Sequence, residues 1–186
     1  MAKDIILIDE SNNQIGTAEK MEAHRQGLLH RAFSILIYNQ KGEILLQRRA
    51  ASKYHCPGLW TNTCCSHPRP GENLLASAER RLKEEMGFSA PLRKTGLEFV
   101  YKIKVGELIE HEYDYVLEGS FDREPILNPE EADAYKWIDM KSLDKDIEEN
   151  PQNYTPWFRL IIGQGDSLAG DKIKGLERYQ VKNKAN

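Results

Sequence analysis

Apolar and polar residues alternate along this chain in a way that predicts two β-hairpins. Residues 28–38 form a nearly continuous apolar, β-rich run, typical of a strand buried on both faces. The turn at residues 39–42 and the returning strand at residues 43–48 predict that this strand is the first arm of a hairpin. Residues 97–105 and 109–118 flank Gly106-Glu107 and predict the second hairpin.

One strong helical period follows the first hairpin. Leu74, Leu75, Ala78 and Leu82 recur at helical spacing, which predicts a helix over residues 73–86 with one buried face. Asn73 is the predicted N-cap, and Gly87 is the predicted stop just beyond the last turn. The remaining predicted elements are strands at 4–9 and 135–138, helices at 140–149 and 155–162, and a segment at 16–22 that is either an edge strand or the start of a helix.

Helices set between hairpins predict an α+β sandwich of sheet and helices. The chain of 186 residues shows no internal repeat and no linker, which predicts a single domain. Its core is expected at about residues 4–162, followed by a C-terminal tail at 163–186.

Composition narrows the function classes. Apolar residues make up 40% and charged residues 30%, as in ordinary globular proteins. The net charge of −3 gives no nucleic-acid footprint. No apolar run approaches the roughly 20 residues of a membrane helix, and the N-terminus lacks a signal-peptide pattern. We therefore predict a cytoplasmic, monomeric protein with free thiols at its three cysteines, and no nucleic-acid or membrane partner.

Chemistry concentrates at the entrance of the predicted helix. The spacing of the residues there resembles the Nudix signature, whose positions fall on Ser66, Glu72, Arg80, Arg81, Leu82, Glu84, Glu85 and Gly87. Two positions depart from it. Ser66 replaces the first glycine, and Arg81 replaces a metal-binding glutamate of the hydrolases. Because diphosphate hydrolysis needs carboxylates to hold its metal ions, a cation here favours diphosphate binding over hydrolysis.

The segments TNTCCSHP, RRLKEEMG and EHE together resemble type 1 isopentenyl-diphosphate isomerases. The resemblance covers residues 4 to 162 and implies a Nudix-like α/β/α sandwich with mixed sheets and flanking helices. It also implies the interconversion of isopentenyl and dimethylallyl diphosphate through a carbocation, in isoprenoid biosynthesis. The implied partner is a small-molecule isoprenoid diphosphate.

A metal site is the second implication. On a strand, Glu110 and Glu112 leave the same face, and a close carboxylate pair repels itself unless a cation lies between. Such acids are usually a solvated face, and isolated histidines such as His24 and His30 are usually surface residues. The resemblance implies instead that His24, His30, His67, Glu110 and Glu112 bind one divalent ion, and N and O ligands admit Mn²⁺, Zn²⁺ or Mg²⁺. His55 and His111 receive no role.

The catalytic and substrate-binding residues follow from the same resemblance. Cys65 and Glu112 are the expected acid and base, with Tyr101 orienting Glu112. The diphosphate is expected on Lys20, Arg49, Lys53 and Arg81, and Mg²⁺ on Glu85 is expected to bridge to it. Trp157 is expected to shield the cationic intermediate. Without the resemblance, Cys65 would be read as a small buried hydrophobic residue, and Tyr101 and Trp157 as core aromatic residues.

Two other functions fit part of this pattern. One is a Nudix hydrolase of a nucleoside diphosphate derivative, against which Arg81, Cys65 and the Glu110/Glu112 pair argue. The other is a non-catalytic diphosphate- or metal-binding protein that retains the Nudix fold, against which the intact acid, base and metal positions argue.

Overall fold

The computed structural model describes residues 4–163. Its nine strands are β1 (Asp4–Ile8), β2 (Gln14–Glu19), β3 (His30–Tyr38), β4 (Ile44–Arg49), β5 (Trp60–Thr61), β6 (Cys64–Ser66), β7 (Arg93–Val105), β8 (Leu108–Ser120) and β9 (Ala132–Ile138). Its four α-helices are α1 (Lys20–Gln26), α2 (Leu74–Met86), α3 (Met140–Glu149) and α4 (Pro156–Ile161), with a short 3₁₀ helix at Pro151–Asn153. None of the helices in this described part is both long and apolar enough to cross a membrane.

Strand β3 is the centre of the mixed sheet. It pairs in parallel with β8 along its whole length, from His30 opposite Glu112 to Tyr38 opposite Ser120. It also pairs antiparallel with β6 and touches β1 at one register position. Strand β8 continues into the antiparallel hairpin with β7, while β4 pairs with β5 and β9.

Two apolar layers lie on opposite faces of this sheet. Phe33, Ile35 and Ile37 of β3 pack with Ala78, Leu82 and Met86 of α2. Leu36, on the other face of β3, packs with Leu143 of α3 and Phe158 of α4. Alternation along β3 therefore fills both layers, which confirms the prediction of a strand buried on both faces and of helices flanking a mixed sheet.

The first predicted hairpin is right at its turn and wrong in its pairing. Strands β3 and β4 pair only at Tyr38 and Ile44 and then separate. Strand β3 pairs with β6 instead, and β4 pairs with β9. A period of two shows that a segment is a strand but carries no information about which edges meet.

The other elements agree closely with the prediction. The β7–β8 hairpin is correct, and its strands extend beyond the predicted residues 97 and 118 to Arg93 and Ser120. Residues 16–22 are divided between β2 and α1. Of the predicted tail at 163–186, only Gly163 belongs to the described residues.

Helix α2 has the predicted caps at both ends. The Asn73 side chain accepts hydrogen bonds from the backbone N–H groups of Leu75 and Ala76. Gly87 is left-handed, with φ of 75°, and its N–H donates to the Lys83 carbonyl. The segment that follows β8 then closes over this end of the helix, where Ile126 donates its N–H to the Met86 carbonyl and Asn128 donates to the Glu85 carbonyl. The cap thus fixes the path of the chain toward Glu131.

Gly87→Ala is expected to lower the free energy of unfolding by about 3 kcal/mol, because the substitution combines backbone strain with a steric clash. A Cβ at this position would lie 2.3 Å from the backbone oxygen of Ile126. Urea unfolding followed by circular dichroism measures the effect.

Gly42→Ala is the matched control. Gly42 has φ of 77° but nothing lies within 4 Å of an added Cβ, so only the strain of about 1 kcal/mol is expected. Equal destabilisation by the two substitutions would contradict a role for the contact with Ile126.

Candidate active site

One cleft is lined by every predicted site residue except His30. Its empty volume, including the open space at its mouth, is about 590 Å³. The cleft is enclosed by α1, β6, β8, the loop at residues 50–59, the last turns of α2 and the start of α4. The positions that the family resemblance implied are therefore brought together in space.

Three histidines and a glutamate meet at one end of the cleft. Ligand atoms of His24, His30, His67 and Glu112 all lie within 4.8 Å of one another. Glu112 Oε1 is 2.9 Å from His67 Nε2 and 3.4 Å from His30 Nε2. Glu110 lies at the margin of this group, with its Oε2 atom 3.3 Å from His24 Nε2. We refer to these five residues as the His/Glu cluster.

Backbone carbonyls orient two of the histidines. His24 Nδ1 donates to the Lys20 carbonyl and His30 Nδ1 donates to the Leu28 carbonyl, each at 2.7 Å. Their Nε2 atoms are buried and, within residues 4–163, have no hydrogen-bond partner, as is also true of Glu110 Oε1. Unpartnered buried nitrogen and oxygen atoms that face one another fit a divalent cation, and carbonyl-oriented imidazoles are usual around metals.

The two carboxyl groups titrate differently. Burial raises the pKa of Glu110. Burial also acts to raise the pKa of Glu112, but the close approach of His30 and the hydrogen bond from His67 outweigh it and hold that pKa well below its ordinary value. Glu112 is therefore an anion in a buried site, the state that a metal ligand or a base requires.

Cys65 and Tyr101 lie next to this carboxylate group. Tyr101 Oη donates to Glu112 Oε2 at 2.6 Å. Cys65 lines the same cleft, opposite Ser34 in the β3–β6 register, and burial raises the pKa of its thiol to about 12. The thiol is therefore protonated at neutral pH. Cys64, the neighbouring residue of the strand, points to the other face and packs in the layer beneath α2.

Cations line the open side of the cleft. Arg81 contacts Glu84, Glu85 and Glu131, and Lys53 Nζ lies 2.6 Å from Glu131 Oε2. Glu131 thus holds two of the predicted diphosphate-binding residues side by side. Lys20 lies with its Nζ atom 5.2 Å above the ring of Tyr54.

Arg49 and Trp157 form the wall opposite α2. The Arg49 guanidinium lies 5.4 Å from the centre of the Trp157 ring and donates to the His55 carbonyl at 3.2 and 3.3 Å. Trp157 is fixed by its Nε1–H, which donates to Thr61 Oγ1 at 3.1 Å. Both side chains are buried but border the cleft.

Glu85 lies apart from the His/Glu cluster. One of its oxygens contacts Arg81, and the other accepts from Gln47 Nε2 at 3.1 Å. The location beside Arg81 is compatible with a cation shared with a bound diphosphate, and the Mg²⁺ role of Glu85 stays a prediction.

Residues without a role predicted from the sequence also line the cleft, among them His55, Gln47 and Glu131. His55 follows Lys53 by two residues in a polar loop, which was the one available signal. Glu131 is one of several acids in a loop, and nothing in its spacing distinguishes it. His111, by contrast, faces away and its Nδ1 contacts the Gly27 carbonyl at 2.9 Å.

Comparison with known proteins adds an independent line of argument. A family model described as the NUDIX domain matches residues 28–158. A protein of Photorhabdus laumondii named isopentenyl-diphosphate Delta-isomerase 2 is 51% identical over 180 residues, which are 97% of this chain and 98% of that protein. An isopentenyl-diphosphate Delta-isomerase of Serratia proteamaculans is 51% identical over 163 residues, 87% of this chain and 90% of that protein.

Solved structures show the same fold at low identity. A protein of Deinococcus radiodurans superposes with a TM-score of 0.65 at 19% identity, over 80% of this chain and 90% of that one. A protein of Methanosarcina mazei gives a TM-score of 0.61 at 22% identity, over 84% and 96%. These likenesses concern the fold alone.

Proposed function

The chain belongs to the isopentenyl-diphosphate Delta-isomerase family, within the Nudix fold, and we propose that it interconverts isopentenyl diphosphate and dimethylallyl diphosphate. This is an intramolecular allylic isomerisation of isoprenoid biosynthesis. The curated relatives carry the name of this activity over nearly the full length of the chain. The substrate is a small-molecule isoprenoid diphosphate.

The observation that most supports the chemistry is the pairing of a protonated thiol and an ionised carboxylate in one cleft. The reaction protonates an unactivated double bond and removes a proton two carbons away. It therefore needs one group that holds a proton and another that lacks one. Burial keeps the Cys65 thiol protonated, and the histidines keep Glu112 ionised. Which of the two donates depends on the direction of the reaction.

Tyr101 is proposed to orient the base. Its hydroxyl donates to Glu112 Oε2, while Glu112 Oε1 faces His67. Each carboxylate oxygen thus has its own partner, which fixes the plane of the group relative to the cleft.

The intermediate is a tertiary carbocation that water would trap. Trp157 is proposed to stabilise it, because the face of an indole ring attracts positive charge. The burial of Trp157 also keeps water away from that wall of the cleft.

The diphosphate is proposed to lie at the cationic mouth on Lys20, Arg49, Lys53 and Arg81. The planar fork of arginine suits phosphate oxygens, and fixed positioning of the substrate supplies several kcal/mol of the barrier reduction. The position where hydrolases of the fold carry a metal-binding glutamate is here Arg81, which Glu84, Glu85 and Glu131 hold in place.

The His/Glu cluster is proposed to hold one divalent ion, Mn²⁺, Zn²⁺ or Mg²⁺. When bound, such an ion supplies positive charge that holds Glu110 and Glu112 together and keeps Glu112 ionised. Glu85 is proposed to hold a Mg²⁺ ion shared with the diphosphate. The monomeric state, the cytoplasmic location, the absence of nucleic-acid and membrane partners and the single-domain organisation stay predictions.

Incubation with isopentenyl diphosphate in D₂O, followed by proton NMR, tests the reaction. We expect dimethylallyl diphosphate carrying deuterium, because protonation from the solvent-exchanged thiol or carboxyl group precedes deprotonation. The reaction should contain Mg²⁺ and, in parallel samples, Mn²⁺ or Zn²⁺.

Unchanged substrate with all three ions would overturn the isomerase proposal. Release of phosphate from nucleoside diphosphate derivatives in the same preparation would point to a hydrolase. Tight binding of isopentenyl diphosphate without any isomerisation would point to a non-catalytic binding protein.

A further inference from the structure

His55 is the one histidine in the cleft without a role in the proposed chemistry. Its Nε2 atom lies 3.2 Å from Glu110 Oε1, and its side chain is 9% exposed. The ring packs 5.4 Å from the ring of Trp157 and 4.4 Å from that of Tyr54. His55 thus lies between the His/Glu cluster and the wall of the substrate cleft.

The geometry separates His55 from the cluster histidines. The rings of His24, His30 and His67 are mutually 4.8 to 5.3 Å apart, whereas the ring of His55 is 6.5 Å from that of His24. Its nitrogen is also outside the group of atoms that lie within 4.8 Å of one another. His55 therefore contacts one of the proposed metal ligands and does not join them.

Glu110 needs a second partner. Its Oε2 faces His24, while its buried Oε1 has no hydrogen-bond partner in the described residues. His55 Nε2 is the nitrogen beside that oxygen. An imidazole carries an N–H group on one or both of its ring nitrogens. Placed on Nε2, that proton would be available to the unpartnered oxygen of Glu110, which lies 3.2 Å from Nε2.

The loop that carries His55 is closed at its base. Arg49 donates its N–H to the Leu59 carbonyl and accepts from Gly58 N–H at 3.0 and 2.9 Å. The Arg49 guanidinium then binds the His55 carbonyl from inside the loop. A residue with its main chain on a diphosphate-binding arginine and its side chain on a metal-binding carboxylate connects the two halves of the site.

We propose that His55 is a positioning residue that orients Glu110 toward the bound metal ion through an Nε2–H hydrogen bond. The inference rests on the proposed metal centre. Partners of this kind fix the plane of a ligating carboxylate, and their removal typically weakens metal binding or activity about 10- to 100-fold.

Two substitutions separate the hydrogen bond from the shape of the side chain. His55→Leu places an apolar side chain of similar size against Trp157 and removes the Nε2–H donor. His55→Gln retains an N–H group at a reach close to that of Nε2. His111→Gln is the matched control, because His111 is the remaining histidine and contacts the Gly27 carbonyl outside the cleft.

The readout is the dissociation constant for Mn²⁺ on metal-free protein, measured from the electron paramagnetic resonance signal of free Mn²⁺, which requires no turnover. We expect His55→Leu to bind Mn²⁺ about 10- to 100-fold more weakly, with His55→Gln and His111→Gln within about threefold of the unaltered protein. Circular dichroism and the urea midpoint establish that each variant is folded.

Native affinity in His55→Leu would overturn the inference. Equal weakening in His55→Leu and His55→Gln would overturn it too, since the retained donor would then have no effect. An unaltered protein that does not bind Mn²⁺, Zn²⁺ or Mg²⁺ would instead remove the proposed metal centre itself.

Discussion

Cys65→Ala is expected to lower kcat by about 10³-fold or more while the affinity for isopentenyl diphosphate stays within a few-fold. The thiol is one of the two groups that exchange protons with the substrate, and alanine cannot hold a proton in its place. The affinity persists because the cationic mouth of the cleft, including Arg49 and Arg81, is left intact. Steady-state kinetics and isothermal titration calorimetry measure the two quantities separately.

Cys56→Ala is the matched control for this loss. Cys56 is half-buried in the loop beside His55 and packs against the layer beneath α3 and α4. Its removal is expected to leave kcat within a few-fold of the original value. If Cys65→Ala instead weakened binding and turned over normally at saturating substrate, Cys65 would be a binding residue and the proposed proton transfer would fail.

Glu112→Gln is expected to lower kcat by at least about 10³-fold, and it should weaken divalent-metal binding as well. The carboxylate is the proposed base, and its Oε1 atom also lies among the nitrogens of His30 and His67. Glutamine preserves the size of the side chain and the contact with Tyr101, but it cannot accept the proton from carbon. Kinetics at saturating Mg²⁺ and Mn²⁺ separate the loss of the base from the loss of metal.

Glu118→Gln on the same strand is the matched control. Glu118 Oε1 lies 2.7 Å from an exposed Arg93 guanidinium at the far end of β8, so its neutralisation is expected to leave activity unchanged. If Glu112→Gln retained more than about a tenth of the activity once metal was saturating, a different residue would have to be the base.

Local signals explain why much of the fold was predictable. Helix α2 depends on residues three and four apart and on the caps at Asn73 and Gly87, all of which are neighbours in sequence. The β7–β8 hairpin depends on one short turn. The divergence of β3 and β4 was not predictable, because the competition of β6 and β9 for their edges involves distant parts of the chain.

The candidate site was likewise predictable only where it depends on local sequence patterns. That Glu110 and Glu112 share a face follows from the strand period alone, and that Arg81 and Glu85 share a face follows from the helix period. The assignment of these residues to one metal and one diphosphate came from resemblance to a known family. Neither period indicates which other side chains approach them, so the contacts of Glu131 with Lys53 and of His55 with Glu110 became visible only in the fold.

The sequence by itself determined most of the strands and helices and the caps of α2, because these depend on short-range spacing. The residues proposed for isomerisation came from its resemblance to a known family. Only the tertiary structure decided that His30 pairs with Glu112 in the parallel β3–β8 register and that β6 brings Cys65 and His67 to the same cleft. It alone shows that burial in this cleft raises the pKa of the Cys65 thiol above its ordinary value. Strand register and burial are properties of contacts between distant segments, which no local pattern of residues contains.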